Sequence, residues 1–189
     1  MGNQASKNIL YNKHKEEFKE GTPLIVACLY GRLDDVKVLR EGEDLNELGT
    51  IDRRYRDVTP LMAAAKGGHL DVVEYLITNG ANPNKTESNG MTALIYAVKF
   101  SYSNIDVIDF LLNHMTLASI NQKSQFEPCT ALDEALFKFN VNKTVVQLIR
   151  SYGGEANYFD VNGNNVGEGN GDLNADNLPS FQRETSMKF

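Results

Sequence analysis

One short phrase, a threonine, then proline or alanine, then leucine, returns four times along the chain and limits what the chain can fold into. It reads Thr22-Pro23-Leu24, Thr59-Pro60-Leu61, Thr92-Ala93-Leu94 and Thr130-Ala131-Leu132. Self-similarity at a spacing of some 20–50 residues marks an array in which each unit can bury its apolar face only against its neighbours. In every unit an alanine follows (Ala27, Ala64, Ala97, Ala135), then a polar or glycine break, then a second apolar run. Those runs span 33–39, 70–77, 105–112 and 145–149, and three of them close on glycine at Gly42, Gly80 and Gly153.

Each part of the unit has a physical role. The threonine hydroxyl can cap a first helix, and proline at the first helical position has no amide to leave unpaired. Alanines on that helix let a partner approach closely. The second run carries Leu, Val and Ile at i, i+3, i+4 spacing, the stripe of a helix buried on one side. The closing glycine can take φ > 0 and end that helix.

This pattern resembles the ankyrin repeat, whose period is about 33 residues and whose signature is Thr-Pro-Leu-His. The fullest match runs Thr59-Pro60-Leu61-Met62-Ala63-Ala64-Ala65-Lys66-Gly67-Gly68-His69-Leu70 and on to Asn79-Gly80-Ala81-Asn82. The resemblance implies an all-α solenoid of paired antiparallel helices with β-hairpin or loop fingers. Four repeats are expected over 21–157, starting near 21, 58, 91 and 129. None of the units has the family's histidine after leucine; Ile25, Met62, Ile95 and Asp133 stand there, so other contacts must hold the first helices. His69, at the family's Gly-His position, reads as structural. Extra residues around Tyr102-Ser103 and Val141-Asn142, and Met115 where a closing glycine belongs, make the third and fourth repeats less regular.

Outside the repeats, Leu10, His14 and Phe18 at four-residue spacing predict a short capping helix within 7–20, with a frayed arm as the alternative. Residues 158–189 form an Asn/Gly-rich tail whose composition buries too little apolar surface to offset ordering entropy, so it is expected to be flexible. Its stretch from Asp160 to Gly171 superficially resembles a calcium loop, but the sixth position is Asn165 and the twelfth is Gly171 where a bidentate Glu is required. From 153 onward there are six acidic side chains against two basic ones, so a weak docking of the tail onto a basic face is a further hypothesis.

Chemistry-bearing constellations are scarce. The net charge of −6 gives no global field for nucleic acid. Cys28 and Cys129 are not at metal spacing and read as small reduced hydrophobes. No phosphate-cradling loop, zinc motif or nucleophile elbow occurs, so no enzyme, cofactor or metal is expected. One motif does stand out: Met1-Gly2-Asn3-Gln4-Ala5-Ser6-Lys7 fits N-myristoylation at Gly2. Lys7, Lys13 and Lys15 then offer a weak basic second signal, countered by Glu16 and Glu17. A reversible association with the cytoplasmic face of a membrane is the expected location.

The repeat resemblance also implies where a partner binds: on the finger tips and the open side of the first helices. Those positions hold Leu29, Tyr30, Arg53, Tyr55, Arg56, Val58, Lys66, Ser88, Met91, Lys99, Phe100, Phe126, Phe137 and Lys138. Aromatic side chains interleaved with Lys and Arg favour an acidic, partly apolar polypeptide, Tyr and Arg being residues enriched at binding hot spots. For Phe100 and Phe137 the alternative is gap-filling in irregular repeats. The leading functional expectation is a membrane-tethered scaffold; the alternative is an inhibitor that plugs an enzyme groove with the Arg53-Arg54-Tyr55-Arg56 finger.

Overall fold

The computed structural model describes residues 2–14, 16, 21–51, 55–101, 104–125, 128–137 and 142–158. The expectations placed on the tail beyond 158, and on Lys15, Phe18, Arg53, Tyr102, Phe126, Lys138 and Val141, lie outside them. Ten α-helices occur among the described residues, and the only β pairing there is two isolated antiparallel bridges, Gly49–Val58 and Thr86–Thr92. The fold is therefore an all-α solenoid whose first two fingers are loops pinned by one bridge each.

Four helix pairs make up the array: α2 (Pro23–Leu29) with α3 (Leu33–Leu39), α4 (Pro60–Gly67) with α5 (Leu70–Thr78), α6 (Ala93–Phe100) with α7 (Ile105–His114), and α9 (Ala131–Phe137) with α10 (Lys143–Ser151). The first helices α2, α4, α6 and α9 pack on one another in order, and the second helices do the same in a second row. Alanine makes the first row close. Ala27, Ala63, Ala64, Ala65, Ala97 and Ala135 are all fully buried. The second row supplies the larger side chains, among them Val36, Val72, Leu76, Leu111 and Ile149, each with no exposed surface.

The caps follow the sequence with one exception. The hydroxyls of Thr59, Thr92 and Thr130 accept from the amides of Met62, Ile95 and Asp133 at 3.2, 3.3 and 3.2 Å. Thr22 does not cap α2; its Oγ1 accepts from the Thr50 amide at 3.1 Å and ties the helix entry to the following finger. Where the family histidine is missing, substitutes appear. The Met62 sulfur accepts from the Thr59 amide at 3.4 Å, and the Asp133 carboxylate accepts from Thr130. Gly42, Gly80 and Gly153 close their pairs at φ of 78°, 98° and 80°, the left-handed conformation that favours glycine.

Neighbouring pairs are also stitched through their turns. His69 Nε2 donates to the Leu29 carbonyl at 2.9 Å, as its structural reading required. One pair further on, Ser101 Oγ donates to the Lys66 carbonyl at 2.5 Å and Asn104 Nδ2 donates to the Gly68 carbonyl. Gly67 has to be glycine, because a Cβ there would stand 2.2 Å from the Leu29 carbonyl oxygen. The linkers repeat the device with asparagine. Asn46 donates to Gly80 O and accepts from the Asn82 amide, and Asn121 does the same with Gly153 O and the Glu155 amide.

Two departures from expectation lie in the connections and at the N-terminus. After α7 the backbone at Met115 is extended (φ −98°, ψ 152°), and a four-residue helix α8 (Leu117–Ile120) is inserted before the next finger. Thr116 caps it and holds it to Asn84 through its amide at 2.8 Å. The expected capping helix exists but lies earlier than 7–20: α1 spans Gly2–Lys13. Its register turns Lys7, Leu10 and His14 toward the first pair. Leu10 packs on the core, while His14 lies 3.1 Å from an Arg32 guanidinium nitrogen and 3.3 Å from Asp35 Oδ2. At the other end, α10 shows water Lys143, Thr144, Gln147 and Arg150, the polar outer face a solenoid needs at its terminus.

Candidate protein-interaction surface

The finger between the first two pairs is the long one. Beyond the Gly49–Val58 bridge, the Ile51 amide donates to the Tyr55 carbonyl at 2.9 Å and Ile51 itself is buried. This turn lays Tyr55 back over the ends of α4 and α6 instead of projecting it from a tip. Tyr55 meets Phe100 edge-on (centroids 5.6 Å apart, 85°) and Tyr96 at 6.3 Å, and Tyr96 and Phe100 lie 5.7 Å apart. The Lys66 ammonium sits 3.8 Å from the Tyr55 centroid and 3.5 Å from that of Phe100. A cation held on two ring faces is drawn by both quadrupoles. Three expected site residues, Tyr55, Lys66 and Phe100, thus converge on one cluster with Tyr96, which the sequence reading had not singled out.

The cluster is graded in exposure. Phe100 is 37 % exposed and Tyr96 only 1 %, so the latter forms the floor. Burial, then the carboxylate of Glu87, then Tyr55 push the Tyr96 phenol well above its ordinary value, so it stays neutral. Glu87 is itself buried, accepting from the Met91 amide at 3.1 Å and shaping the second finger's turn. What the surface offers is a half-buried ammonium between aromatic faces, next to an accessible Phe100 ring. That combination suits a carboxylate flanked by apolar side chains.

Other expected residues are placed differently. Val58 is a correction: it is fully buried, because its bridge to Gly49 points the side chain into the core. Leu29 and Met91 are half-buried and packed against the core. Lys99 is engaged within the fold, its Nζ 2.7 Å from the nearly buried carboxylate of Glu134. Ser88 is exposed and donates to Glu87 at 3.3 Å. Tyr30, 56 % exposed with the Arg32 guanidinium 5.0 Å from its ring, and Arg56 do face solvent. Phe137 is half-buried against Tyr158, 5.8 Å between centroids, which fits the gap-filling alternative. Apart from the ring cluster, a cleft of about 420 Å³ separates α1 from the first pair, lined among others by Tyr11, Leu24, Leu39 and Leu48.

The family model for ankyrin repeats (three copies) matches residues 42–124 and 61–160, which is more than half of the chain. The chain belongs to the ankyrin-repeat family. Curated relatives are similar over part of the chain. The chain is 47 % identical to alpha-latrotoxin-Lh1a of Latrodectus hasselti over 76 residues, 40 % of this chain and 5 % of the toxin. It is 41 % identical to the human ankyrin repeat and KH domain-containing protein 1 over 86 residues, 45 % of this chain and 3 % of that protein. With mouse ankyrin repeat and SOCS box protein 11 it shares 39 % over 88 residues, 46 % of this chain and 25 % of the relative. The chain thus spans a quarter or less of these proteins. Ankyrin repeats bind other proteins, and that general role carries over with the family. Among the described residues no group of His, Cys, Asp and Glu is arranged to hold a metal ion, and no helix is long and apolar enough to cross a membrane.

Proposed function

We propose that this ankyrin chain is a scaffold that binds a partner polypeptide across its first-helix face, with the four helix pairs acting as four repeats starting near 21, 58, 91 and 129. The cluster of Tyr55, Lys66, Tyr96 and Phe100 carries this reading. It places a cation and accessible aromatic surface together on an acidic chain, and so favours an acidic, partly apolar segment. The chemistry offered is recognition rather than catalysis. The inhibitor alternative, in which the Arg53–Arg56 finger plugs a groove, is less well supported because Tyr55 packs back onto the solenoid instead of leading the tip.

Selection from a random-peptide display library against the full chain tests the site. Enriched peptides are expected to combine Asp or Glu with aromatic residues. Lys66→Glu and Phe100→Ala should each weaken them by about tenfold or more, a hot-spot loss. Enriched peptides that ignore both substitutions would move the site elsewhere.

The second half of the reading is a tether: with Met1 as initiator, Gly2 is N-myristoylated and holds the scaffold reversibly at a membrane's cytoplasmic face. Intact mass from eukaryotic cells checks the modification. Gly2→Ala is expected to shift the protein from the membrane fraction to the soluble one.

A further inference from the structure

One saturated acyl chain holds a protein to a bilayer only marginally, with K ~10⁴ M⁻¹, so the tether needs a second contribution. The sequence offers lysines for it, and the fold takes the first of them away. Lys7 turns inward, its Nζ 2.7 Å from the Glu41 carbonyl oxygen and 3.1 Å from Glu43 Oε1. Among the described residues of the arm this leaves Lys13 exposed, with an exposed Glu16 shortly beyond it. Opposite charges that close together cancel most of their attraction to an anionic surface.

The outward side of α1 carries two apolar side chains, Ala5 and Ile9, exposed beside the polar Ser6 and Asn12. At about 100° per residue, Gly2, Ala5, Ile9 and Lys13 fall along one stripe, opposite Gln4, Lys7 and Tyr11, which line the cleft facing the first pair. Ile9 is 67 % exposed, more than any other large hydrophobic side chain among the described residues. A single exposed isoleucine is ordinary on a protein surface. This one lies two turns along the stripe that begins at Gly2, where an acyl chain would bring the bilayer.

We propose that the outward stripe of α1 is a membrane-contact face, on which Ile9 enters the bilayer interface beside the Gly2 acyl chain and supplies the second contribution through apolar burial rather than charge. The proposal rests on acylation of Gly2. Lipid is the occupant because a chain bonded to Gly2 delivers a bilayer to this stripe. Binding is then nearly indifferent to anionic lipid and to salt.

The test uses the full chain co-expressed with an N-myristoyltransferase, its acylation checked by intact mass. Sedimentation is measured with vesicles of phosphatidylcholine, alone or mixed with phosphatidylserine. Ile9→Gln, at an exposed helical position, is expected to leave the thermal melt unchanged. It should lower partition of the acylated protein by about tenfold or more, an isoleucine returned to water. Adding phosphatidylserine, or making Lys13→Gln, is expected to change partition by less than about threefold, below the usual effect of an unopposed basic side chain. If acylated Ile9→Gln partitions like its parent, the contact face is wrong while the tether stands. Partition governed by phosphatidylserine instead of Ile9 would also overturn the proposal, in favour of the lysines. Acylated protein that ignores both kinds of vesicle would place the chain elsewhere, the cleft beside Tyr11 and Leu48 being the nearest. An unmodified Gly2 would remove the tether itself, and this face with it.

Discussion

Replacing Asp133 with alanine is expected to destabilise the C-terminal end of the solenoid by about 3–5 kcal/mol, through the loss of several hydrogen bonds to one buried carboxylate. The carboxylate has no exposed surface. Its Oδ2 accepts from the Thr130 amide at 2.8 Å and from the Thr130 hydroxyl at 2.9 Å. Both oxygens accept from the Asn157 amide at 2.9 Å, and Oδ1 accepts from the Tyr158 amide at 2.9 Å. Hydrogen bonds to a charged acceptor are worth ~1.5–3 kcal/mol each, although such values do not simply add. Thr130 is 2 % exposed, so its amide would be left without a partner at a further cost of ~1–3 kcal/mol. Asn157 and Tyr158 are half-exposed, and water would partly replace the carboxylate there. Asp133→Asn keeps the shape but turns an NH₂ donor toward other donors, so it is expected to fall between alanine and the parent. Urea melts followed by circular dichroism measure the stability. Because the site lies in the last pair, a shallower or split transition is expected as that pair opens before the rest. Hydrogen exchange at Asn157 and Tyr158 reports the anchor directly. A loss below about 1 kcal/mol for Asp133→Ala, with both amides still protected, would refute the reasoning.

Three further outcomes follow from packing. Leu76→Ala should cost ~2–5 kcal/mol, since Leu76 has no exposed surface in the middle of the second-helix row; denaturant melts decide, and a loss under about 1 kcal/mol would contradict its burial. Tyr55→Ala should cost ~1–2 kcal/mol by the same assay, because it loses two ring contacts that an isolated finger tip would not make; an unchanged melt would mean the ring cluster is not formed. Cys28 should resist alkylation in the folded protein and react on unfolding, as mass spectrometry after iodoacetamide would read, because burial pushes its thiol well above the ordinary value. The sign for stability is set by the same shift. The folded protein keeps a proton that the unfolded chain gives up above about pH 8.5, so this contribution is complete below that pH and declines as pH rises further.

Much of the fold was legible because its determinants act over a few residues. A threonine hydroxyl three residues from an amide, a proline with no N–H to lose, an alanine that lets a helix approach and a glycine free to take φ > 0 need only their sequence neighbours. Thr59, Ala64 and Gly80 therefore read correctly in advance. Thr22 did not, because its hydroxyl had a competing donor in Thr50, a residue of the following finger. The capping helix was placed too late because the weak periodicity around Leu10 does not fix where a polar helix begins.

The candidate site was legible only as a set of residue types. Tyr55, Lys66, Tyr96 and Phe100 come from a finger and two different repeats, and nothing local says that they share one cluster. Val58 and Tyr55 lie in the same finger, yet the bridge to Gly49 buries the first and the turn at Ile51 folds the second onto its neighbours. Asp133 was noticed as the wrong residue at a histidine position, but its partners Asn157 and Tyr158 belong to the segment after the last helix. The sequence by itself determined that there would be a stack of helix pairs, since each pair's backbone preferences and apolar stripe are short-range properties. The tertiary structure alone decided which charged and aromatic side chains meet, because those contacts depend on how one pair is offset against the next, and that offset comes from side-chain packing between pairs.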